Sequence, residues 1–346
     1  MLIKRLFLLS LLWVGLGLGL ALLPLGSKVL VCGATGRVGR LCVNELLGQG
    51  VFVKAVVRDE KKAANVLPID NKNLEIVKAN IRVGTELKEL CADINSAVWC
   101  ATGFTDKSGR MDKLMGLLRL KFRPQSTLDI ETLASLGRIL ADKDMEGVLP
   151  QVVVCSSAGV TRPSWTEDQK EKYPGAADIP IVRLNPFNIL GVKREGEDAL
   201  RSSGCRYTVV RPTGLNDDWP RGRPVLSQGD LAVGRISRAD VAALLVSILG
   251  EPAAVGKTFE ACAVPGYPFP NSYATQLGRL AADSDVPGLS QDVLDVTYAL
   301  LQQLVPGEIL KPEALAMGQK YEELDAGMEG RLGKRGEEKV PIVAEN

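Results

Sequence analysis

A glycine-rich segment near residue 33 carries the pattern that most clearly suggests chemistry. Gly33, Gly36 and Gly39 are separated by two residues each, and they directly follow the short apolar run Lys28–Cys32. In such a segment the first glycine permits a tight turn and the second lets the backbone approach a pyrophosphate. The third lets the next helix pack on the strand, and that helix's N-terminus favours the anion. The pattern predicts a dinucleotide-binding loop, with a turn that holds no ligand as the alternative.

The charged residues after the second predicted strand indicate which dinucleotide would bind. Val57 is followed by Arg58 and Asp59, and Arg37 lies inside the glycine segment. An arginine at this place suits the 2′-phosphate of NADP(H), whereas an acidic residue suits the ribose hydroxyl of NAD(H). We therefore expect NADP(H) to be preferred, and Asp59 keeps NAD(H) open.

The composition excludes several kinds of site. The chain has 346 residues, of which 46% are hydrophobic and 24% charged, as in ordinary globular proteins. It contains no histidine, which excludes Ser-His-Asp and Cys-His machinery and histidine-ligated metals. Acid–base chemistry therefore falls to Lys, Tyr, Cys or carboxylates. The net charge of +1 gives no electrostatic reason to bind nucleic acid, and we expect none.

The cysteines predict a reducing compartment. The chain has seven of them, an odd number, and no pair has C-x-x-C spacing, which argues against a disulfide scaffold and a structural metal site. The seven are Cys32, Cys42, Cys91, Cys100, Cys155, Cys205 and Cys262. We expect free thiols and no metal.

Short apolar runs alternate with helical patterns from Ser27 onward, which indicates a parallel sheet covered by helices on both faces. The predicted strands are Lys28–Cys32, Phe52–Val57, Leu74–Val77, Ala97–Ala101, Gln151–Cys155, Tyr207–Val210 and Thr258–Ala261. The predicted helices include a stretch that ends at Leu47, then Leu128–Leu140, Asn185–Ser202 and Ser237–Leu249. The expected fold class is α/β, a Rossmann-type doubly wound parallel sheet.

Both ends of the chain depart from this pattern. Leu6–Leu25 carries no charge, and as a helix it would be about 30 Å long, enough to span a bilayer. We expect residues 1–26 to be an apolar helix that serves as a targeting or membrane-anchor segment, with a misassigned start site as the alternative. Residues 27–264 would form the Rossmann domain.

The C-terminal region is expected to be a helical extension over residues 265–329, followed by a flexible tail over residues 330–346. Proline residues separate it from the sheet, and two amphipathic patterns follow, at Gln291–Val305 and Pro312–Asp325. These two predicted helices are a candidate surface for a protein partner.

Several motifs resemble the short-chain dehydrogenase/reductase superfamily. They are G-A-T-G-R-V-G after the first predicted strand, V-V-R-D after the second, A-T-G after the fourth and V-V-V-C-S-S-A-G-V at the fifth. The element R-P-T-G-L, which follows the sixth strand, is similar to the atypical, NmrA-like or NAD(P)H-binding branch, which includes plastid proteins. The resemblance covers about residues 28–263. It implies a Rossmann fold, a nicotinamide dinucleotide and a plastid location, and the apolar run Leu6–Leu25 adds membrane association as an expectation.

The resemblance also implies roles for particular residues. Those expected at the cofactor are Gly33, Thr35, Gly36, Arg37, Val38, Gly39, Arg58, Asn80, Ile81, Ala101, Thr102, Gly103, Lys193, Pro212 and Thr213. Lys193 matches the lysine that bonds the nicotinamide ribose, and Ser156 or Ser157 matches the serine of the family. Lys193 and Ser156 are the candidate catalytic residues.

One position departs from the family pattern. Active members carry a tyrosine four residues before the lysine as the proton donor, and this chain has Ile189 there. Isoleucine delivers no proton to a developing alkoxide. We therefore expect an NADP(H)-binding protein with a regulatory, assembly or scaffolding role. The alternative is an NADPH-dependent reductase of a small hydrophobic substrate, with Lys193 or water as the proton source.

Overall fold

A largely parallel sheet forms the centre of the molecule. The computed structural model describes residues 23–103, 127–143, 147–265, 267–285 and 289–304, with the short pieces 327–329, 334 and 337. In this part of the chain eight strands join in the order β3 (Leu74–Lys78), β2 (Phe52–Val57), β1 (Lys28–Cys32), β4 (Ser96–Trp99), β5 (Val152–Cys155), β6 (Tyr207–Pro212), β10 (Lys257–Pro265) and β8 (Gly222–Ser227). All neighbours are parallel except β10 and β8, which are antiparallel. The strand order reverses between β1 and β4, and ligands of such sheets bind at the carboxyl edge beside this reversal.

The strands and helices alternate along the chain, as a doubly wound sheet requires. The strands are β1 Lys28–Cys32, β2 Phe52–Val57, β3 Leu74–Lys78, β4 Ser96–Trp99, β5 Val152–Cys155, β6 Tyr207–Pro212, β7 Gly214–Leu215, β8 Gly222–Ser227, β9 Arg235–Ile236 and β10 Lys257–Pro265. The α-helices are α1 Gly39–Gly48, α2 Glu60–Val66, α3 Gly84–Leu90, α4 Leu133–Ala141, α5 Glu167–Lys172, α6 Pro174–Ala177, α7 Pro180–Leu184, α8 Ile189–Arg201, α9 Arg238–Ile248, α10 Ala274–Gly278 and α11 Gln291–Leu304.

Apolar side chains cover both faces of the sheet. On one face, residues of α1 and α9 pack on β1, β2 and β10 around Val43, Leu245 and Phe259, which are fully buried. On the other face, residues of α3, α4 and α8 pack on β4 and β5 around Trp99 and Leu136. Because both faces are covered, the central strands are continuous apolar runs rather than alternating ones. The predicted fold class is confirmed.

One predicted helix boundary is wrong, and another predicted helix has an unexpected first turn. The helix predicted from Asn185 begins at Ile189 instead, because Asn185 and Asn188 have φ angles of 32° and 56° and Pro186 stands between them. Left-handed residues cannot continue a right-handed helix. The helix predicted from Leu128 begins with a π-helical turn, Thr127–Thr132, before α4.

One strand of the main sheet was not predicted. β8 contains Pro224, which lacks a backbone donor, and a proline in the middle of a strand is typical of an edge strand. Among the described strands, β8 is such an edge strand and pairs with β10 alone. β4 also ends at Trp99, so Cys100 and Ala101, predicted as strand, lie in the loop that follows.

The ends of the chain are only partly covered by the structure. Of the predicted N-terminal run, residues 6–22 lie outside the described residues, and Leu23, Pro24 and Leu25 are not helical. Among the described residues, no helix has the length and apolar character needed to cross a membrane. The first predicted C-terminal helix exists as α11, and the second, Pro312–Asp325, lies outside the described residues. The boundaries at residues 26, 264 and 329 stay predictions.

Candidate functional site

The glycine loop joins β1 to α1 at the carboxyl edge of the sheet, and the chain itself requires two of its glycines. Gly33 has a φ of 80°, and a Cβ placed on it would lie 2.7 Å from the carbonyl carbon of Cys100. A Cβ on Gly39 would lie 2.2 Å from the carbonyl oxygen of Gly33. At Gly36 the added Cβ would meet only that same oxygen, at 3.0 Å, among the described residues beyond its chain neighbours. The backbone of Gly36 therefore leaves room for a ligand to approach.

The two arginines predicted to select the cofactor lie at the same edge. Arg58 is exposed directly after β2, and Arg37 is exposed in the glycine loop. Asp59, the residue that kept NAD(H) open, caps α2, because one of its carboxylate oxygens accepts a hydrogen bond of 3.1 Å from the backbone N–H of Lys62. Arg58 is thus the residue of this pair that is free of a capping role.

The two residues predicted beside the adenine lie in the turn after β3. The side-chain oxygen of Asn80 accepts a hydrogen bond of 3.2 Å from the backbone N–H of Arg82, and its own backbone N–H donates to Glu86 at 2.7 Å. Ile81 is half-buried against the apolar cluster on the α3 side of the sheet. Among the described residues, the side-chain NH₂ of Asn80 donates no hydrogen bond.

The loop after β4 is fixed by a carboxylate that the sequence analysis did not single out. The backbone N–H of Gly103 donates to Asp129 at 2.6 Å, and the side chain of Thr102 also donates to it. Burial raises the pKa of Asp129 above its ordinary value, although Lys193 and these two donors act in the opposite direction. Asp129 therefore links the predicted ribose loop, of which Ala101 is the first residue, to Lys193.

A π-helical turn and a glycine place Asp129 there. The turn Thr127–Thr132 precedes α4, and such turns are frequent at functional sites. On the facing helix, a Cβ added to Gly196 would lie 2.2 Å from the carbonyl oxygen of Asp129. Only glycine therefore lets α8 approach this closely. Together these elements border a small, partly open recess, lined by Trp99, Asp129, Leu133, Val154, Cys155, Ser156, Lys193 and Glu197.

The hydroxyl of Ser156, a candidate catalytic residue, is bound to a buried carboxylate. It donates a 2.5 Å hydrogen bond to Glu197, whose side chain is 1% exposed. Arg211 donates to both oxygens of Glu197, at 3.1 and 2.6 Å, and Arg201 adds a bond of 3.1 Å. Burial opposes the ionised form, but the two arginines and the serine outweigh it and lower the pKa of Glu197. The proton of Ser156 is therefore committed to Glu197.

Lys193 on α8 and Ser157 in the loop after β5 are the remaining candidates for proton donation. Ile189 and Lys193 are one helical turn apart, and both are half-buried. Ser157 donates its hydroxyl proton to the backbone oxygen of Ala158 at 2.9 Å. Both serines of the predicted pair thus donate their hydroxyl protons to acceptors within the protein.

Pro212 and Thr213 close the site at the end of β6. The carbonyl oxygen of Pro212 accepts a bond of 3.0 Å from the N–H of Ala158, and the N–H of Thr213 donates to Ala261 at 3.0 Å. The Thr213 hydroxyl is buried, and it has no hydrogen-bond partner in the part of the chain that the structure describes. A buried hydroxyl without a partner is costly, and it is a feature that a bound ligand can relieve.

Comparison with known proteins identifies the family. The model of the NAD(P)H-binding family matches residues 33–252, which is more than half of the chain. The chain belongs to the NAD(P)H-binding family. The predicted family is thereby confirmed. The match begins at Gly33, the first glycine of the loop.

Relatives and solved structures agree with this assignment. An uncharacterized chloroplastic protein of Arabidopsis thaliana is 33% identical over 226 residues, which cover 64% of this chain and 72% of that protein. The chloroplastic protein TIC 62 of Pisum sativum is 27% identical over 247 residues, and the match spans 65% of this chain but only 41% of that longer protein. A Bacillus halodurans protein assigned as an NAD-dependent epimerase/dehydratase has a TM-score of 0.53 at 24% identity. It covers 74% of this chain and 100% of that one, and it supports the fold alone.

The structure gathers the predicted residues of this NAD(P)H-binding protein at one edge of the sheet and adds three that were missed. Asp129, Glu197 and Arg211 were not singled out in the sequence. A usable signal existed for Arg211, because an arginine inside the apolar strand β6 requires a buried partner. Thr35 and Val38 lie in the glycine loop as predicted, and the role of each site residue stays a prediction. Among the described residues, no cluster suited to a metal ion is found.

Proposed function

We propose that the protein binds NADP(H) and serves a regulatory, assembly or scaffolding role without reducing carbonyl compounds. Three features of the chain fit the dinucleotide. Gly36 leaves its backbone open, Arg58 and Arg37 lie exposed at the same edge, and Thr213 has a buried hydroxyl without a described partner. The open backbone suits a pyrophosphate, the exposed arginines suit a 2′-phosphate, and the buried hydroxyl suits a polar ring substituent.

Each part of the cofactor has a counterpart in the chain. The glycine loop and the N-terminus of α1 would hold the pyrophosphate, with Thr35 and Val38 completing the loop. Asn80 and Ile81 would contact the adenine, Lys193 and residues 101–103 the nicotinamide ribose, and the turn at Pro212 the nicotinamide. When bound, the nicotinamide ring supplies a hydride. The chain's own residues bind and orient it.

The state of the proton donors is the observation that carries the proposed role. Reduction of a carbonyl needs a proton at the developing alkoxide. Ile189 has no proton to give, Ser156 donates to Glu197 at 2.5 Å, and Ser157 donates to Ala158 at 2.9 Å. A positioned general acid contributes about 10²–10⁴-fold, so its absence alone reduces turnover toward background.

A reductase is the second candidate, and the recess beside Lys193 favours it. Lys193 and Asp129 both line this recess. A lysine ammonium group carries a proton that it can donate to a developing alkoxide. In that case Lys193, or a water molecule that it holds, would supply the proton to a small hydrophobic substrate.

The chloroplastic names of the relatives support a plastid location. The Arabidopsis thaliana and Pisum sativum relatives are both chloroplastic proteins. The seven cysteines are free thiols in the structure, and the reducing compartment that their number and spacing predict is part of the proposal. Attachment to a membrane through residues 6–25 and a protein partner at the C-terminal helices remain part of the proposal.

NADPH consumption by the full chain tests the proposed role. The protein would be incubated with NADPH and a broad set of carbonyl compounds and enones, after a parallel titration establishes that NADPH is bound. We expect no consumption above the protein-free rate, and weak activity in Ile189→Tyr, where the hydroxyl is restored. Robust turnover by the unaltered chain that Lys193→Met abolishes would instead establish the reductase.

A further inference from the structure

Three thiols meet beneath the glycine loop. Cys42, Cys100 and Cys155 all pack in the same apolar cluster on the α1 side of the sheet. Cys42 lies on α1 and is fully buried, whereas Cys100 and Cys155 are only partly buried. The proposed function uses none of these three side chains. Two neighbouring thiols in such a cluster can be oxidised to a disulfide.

The sheet register makes Cys100 and Cys155 neighbours. β4 and β5 are parallel with Trp99 opposite Val154, so the next residue of each chain segment is a cysteine. Both pack against the apolar cluster on the α1 side of the sheet. Neighbouring strands lie about 4.8 Å apart, and a disulfide spans Cα–Cα distances of about 4.4–6.8 Å. The backbone spacing of this pair therefore suits a disulfide.

A change at this pair would reach the proposed cofactor site directly. Cys100 precedes the loop 101–103, and Cys155 precedes Ser156. The carbonyl group of Cys100 also packs on Gly33, where even an added Cβ would lie 2.7 Å away. The backbone N–H of Cys100 also donates to the carbonyl oxygen of Cys32 at 2.9 Å, so a shift of Cys100 toward β5 pulls on the start of the glycine loop.

We propose that Cys100 and Cys155 form an oxidisable thiol pair, and that their disulfide weakens dinucleotide binding. The link to binding rests on the proposed function, whereas the formation of the disulfide does not. The modification is thus a second, redox-dependent property of the same sheet edge, distinct from any hydride chemistry of the cofactor.

The oxidant in the reaction is a small disulfide such as glutathione disulfide. The thiolate of Cys155 attacks one sulfur of the oxidant and releases one glutathione. The thiol of Cys100, after losing its proton, then attacks the mixed disulfide and releases the second. Two protein thiols are oxidised to one disulfide, and one disulfide is reduced to two thiols. Its interaction with Cys100 and burial raise the pKa of Cys155, while Lys193 opposes this, so we expect slow reaction at neutral pH.

Peptide mapping of the full chain tests the formation of the disulfide. After treatment with glutathione disulfide, free thiols are alkylated and the chain is digested with trypsin. Cys91 and Cys100 fall in one tryptic peptide, because the sequence has no lysine or arginine between Lys88 and Lys107. Cys91→Ser is therefore the parent protein for this experiment. Cys91 packs on the opposite face of the sheet, so its replacement leaves the surroundings of Cys100 and Cys155 unchanged. We expect a linked peptide pair that contains Cys100 and Cys155, and its absence overturns the inference.

Cofactor binding tests the consequence. NADPH-induced thermal stabilisation is compared in the reduced chain, the oxidised chain and the chain re-reduced with dithiothreitol. We expect the stabilisation to be lost on oxidation and regained on reduction, and to be insensitive to oxidant in Cys155→Ser. Cys100→Ser serves as a second variant if Cys155→Ser does not fold.

The outcomes separate the two proposals. A linked pair with unchanged stabilisation by NADPH contradicts the effect on binding. If the reduced chain itself shows no stabilisation by NADPH, the proposed cofactor function fails and the effect on binding fails with it. Peptide mapping still decides in that case whether the thiols form a pair.

Discussion

The three glycines of the glycine loop are required for different reasons. Gly33 and Gly39 are demanded by the protein's own atoms, since added Cβ atoms would lie 2.7 Å and 2.2 Å from backbone neighbours. At Gly36 the added Cβ would lie 3.0 Å from the carbonyl oxygen of Gly33, so the fold restricts this position less, and an approaching ligand would restrict it further. The sequence pattern of three glycines could not make this distinction, because it depends on the distance between the loop and the end of β4.

Substitution of Gly36 separates the needs of the ligand from those of the fold. In Gly36→Val the branched side chain occupies the space proposed for the pyrophosphate, so we expect stabilisation by NADPH to disappear while the chain stays folded. Thermal unfolding with and without NADPH measures both effects. Gly48→Val is the matched control, because a Cβ there meets no atom within 4 Å. Undiminished stabilisation of Gly36→Val would show that NADPH binds elsewhere.

Arg58 is expected to separate the two dinucleotides. A hydrogen bond to a charged group contributes about 1.5–3 kcal/mol, so Arg58→Ala should weaken NADPH about tenfold or more. NADH, which has no 2′-phosphate, should be affected little. Titration of both cofactors into Arg58→Ala and into Lys88→Ala, which removes an exposed charge on α3, measures the difference. An equal loss for NADPH and NADH would contradict the role of Arg58.

At the scale of elements, the sequence predicted which segments exist but not how two of them begin. The apolar runs that became β1, β2, β5 and β6 were evident, because strands buried on both faces are continuous in hydrophobicity. The start of α8 depended on two left-handed asparagines, and α4 begins with a π-helical turn. Neither feature has a periodic signal. Asp129 was missed for the same reason, since the turn is what directs it to Lys193.

The contact between α8 and the π-helical turn should be sensitive to a single methyl group. In Gly196→Ala the Cβ would lie 2.2 Å from the carbonyl oxygen of Asp129, which must move. Forced overpacking costs about 1–3 kcal/mol, and we expect that loss in the free energy of unfolding measured with urea. Gly48→Ala, in open space at the end of α1, should be neutral or slightly stabilising. Unchanged stability of Gly196→Ala would mean that α8 does not pack this closely.

Across the whole molecule, buried charges tie the end of the sheet together. Arg211 on β6 binds Glu197 of α8, and the carboxylates Asp230 and Glu260 also act on it. The predicted fold class was correct because alternation of strands and helices sets it, whereas this network joins residues far apart in sequence. The edge strand β8 and such long-range pairs escaped prediction.

The buried Glu260 should make stability depend on pH. Burial raises the pKa of Glu260 to about 7, Asp230 adds to the effect, and Arg211 opposes it. The folded chain therefore binds this proton more tightly than the unfolded chain, so the contribution is present at low pH and is lost as pH rises toward 7. We expect Glu260→Gln to lose less stability than the unaltered chain in urea unfolding between about pH 5 and about pH 8. Glu171→Gln, an exposed carboxyl control, should behave like the unaltered chain, and equal pH dependence in all three would contradict the assignment.

Calorimetric titration of the full, reduced chain with NADPH and NADH tests the central claim most directly. The account predicts saturable binding of one dinucleotide per chain, with NADPH bound about tenfold or more tightly than NADH because of its 2′-phosphate. Absence of saturable binding by either dinucleotide, or equal affinity for the two, would contradict it.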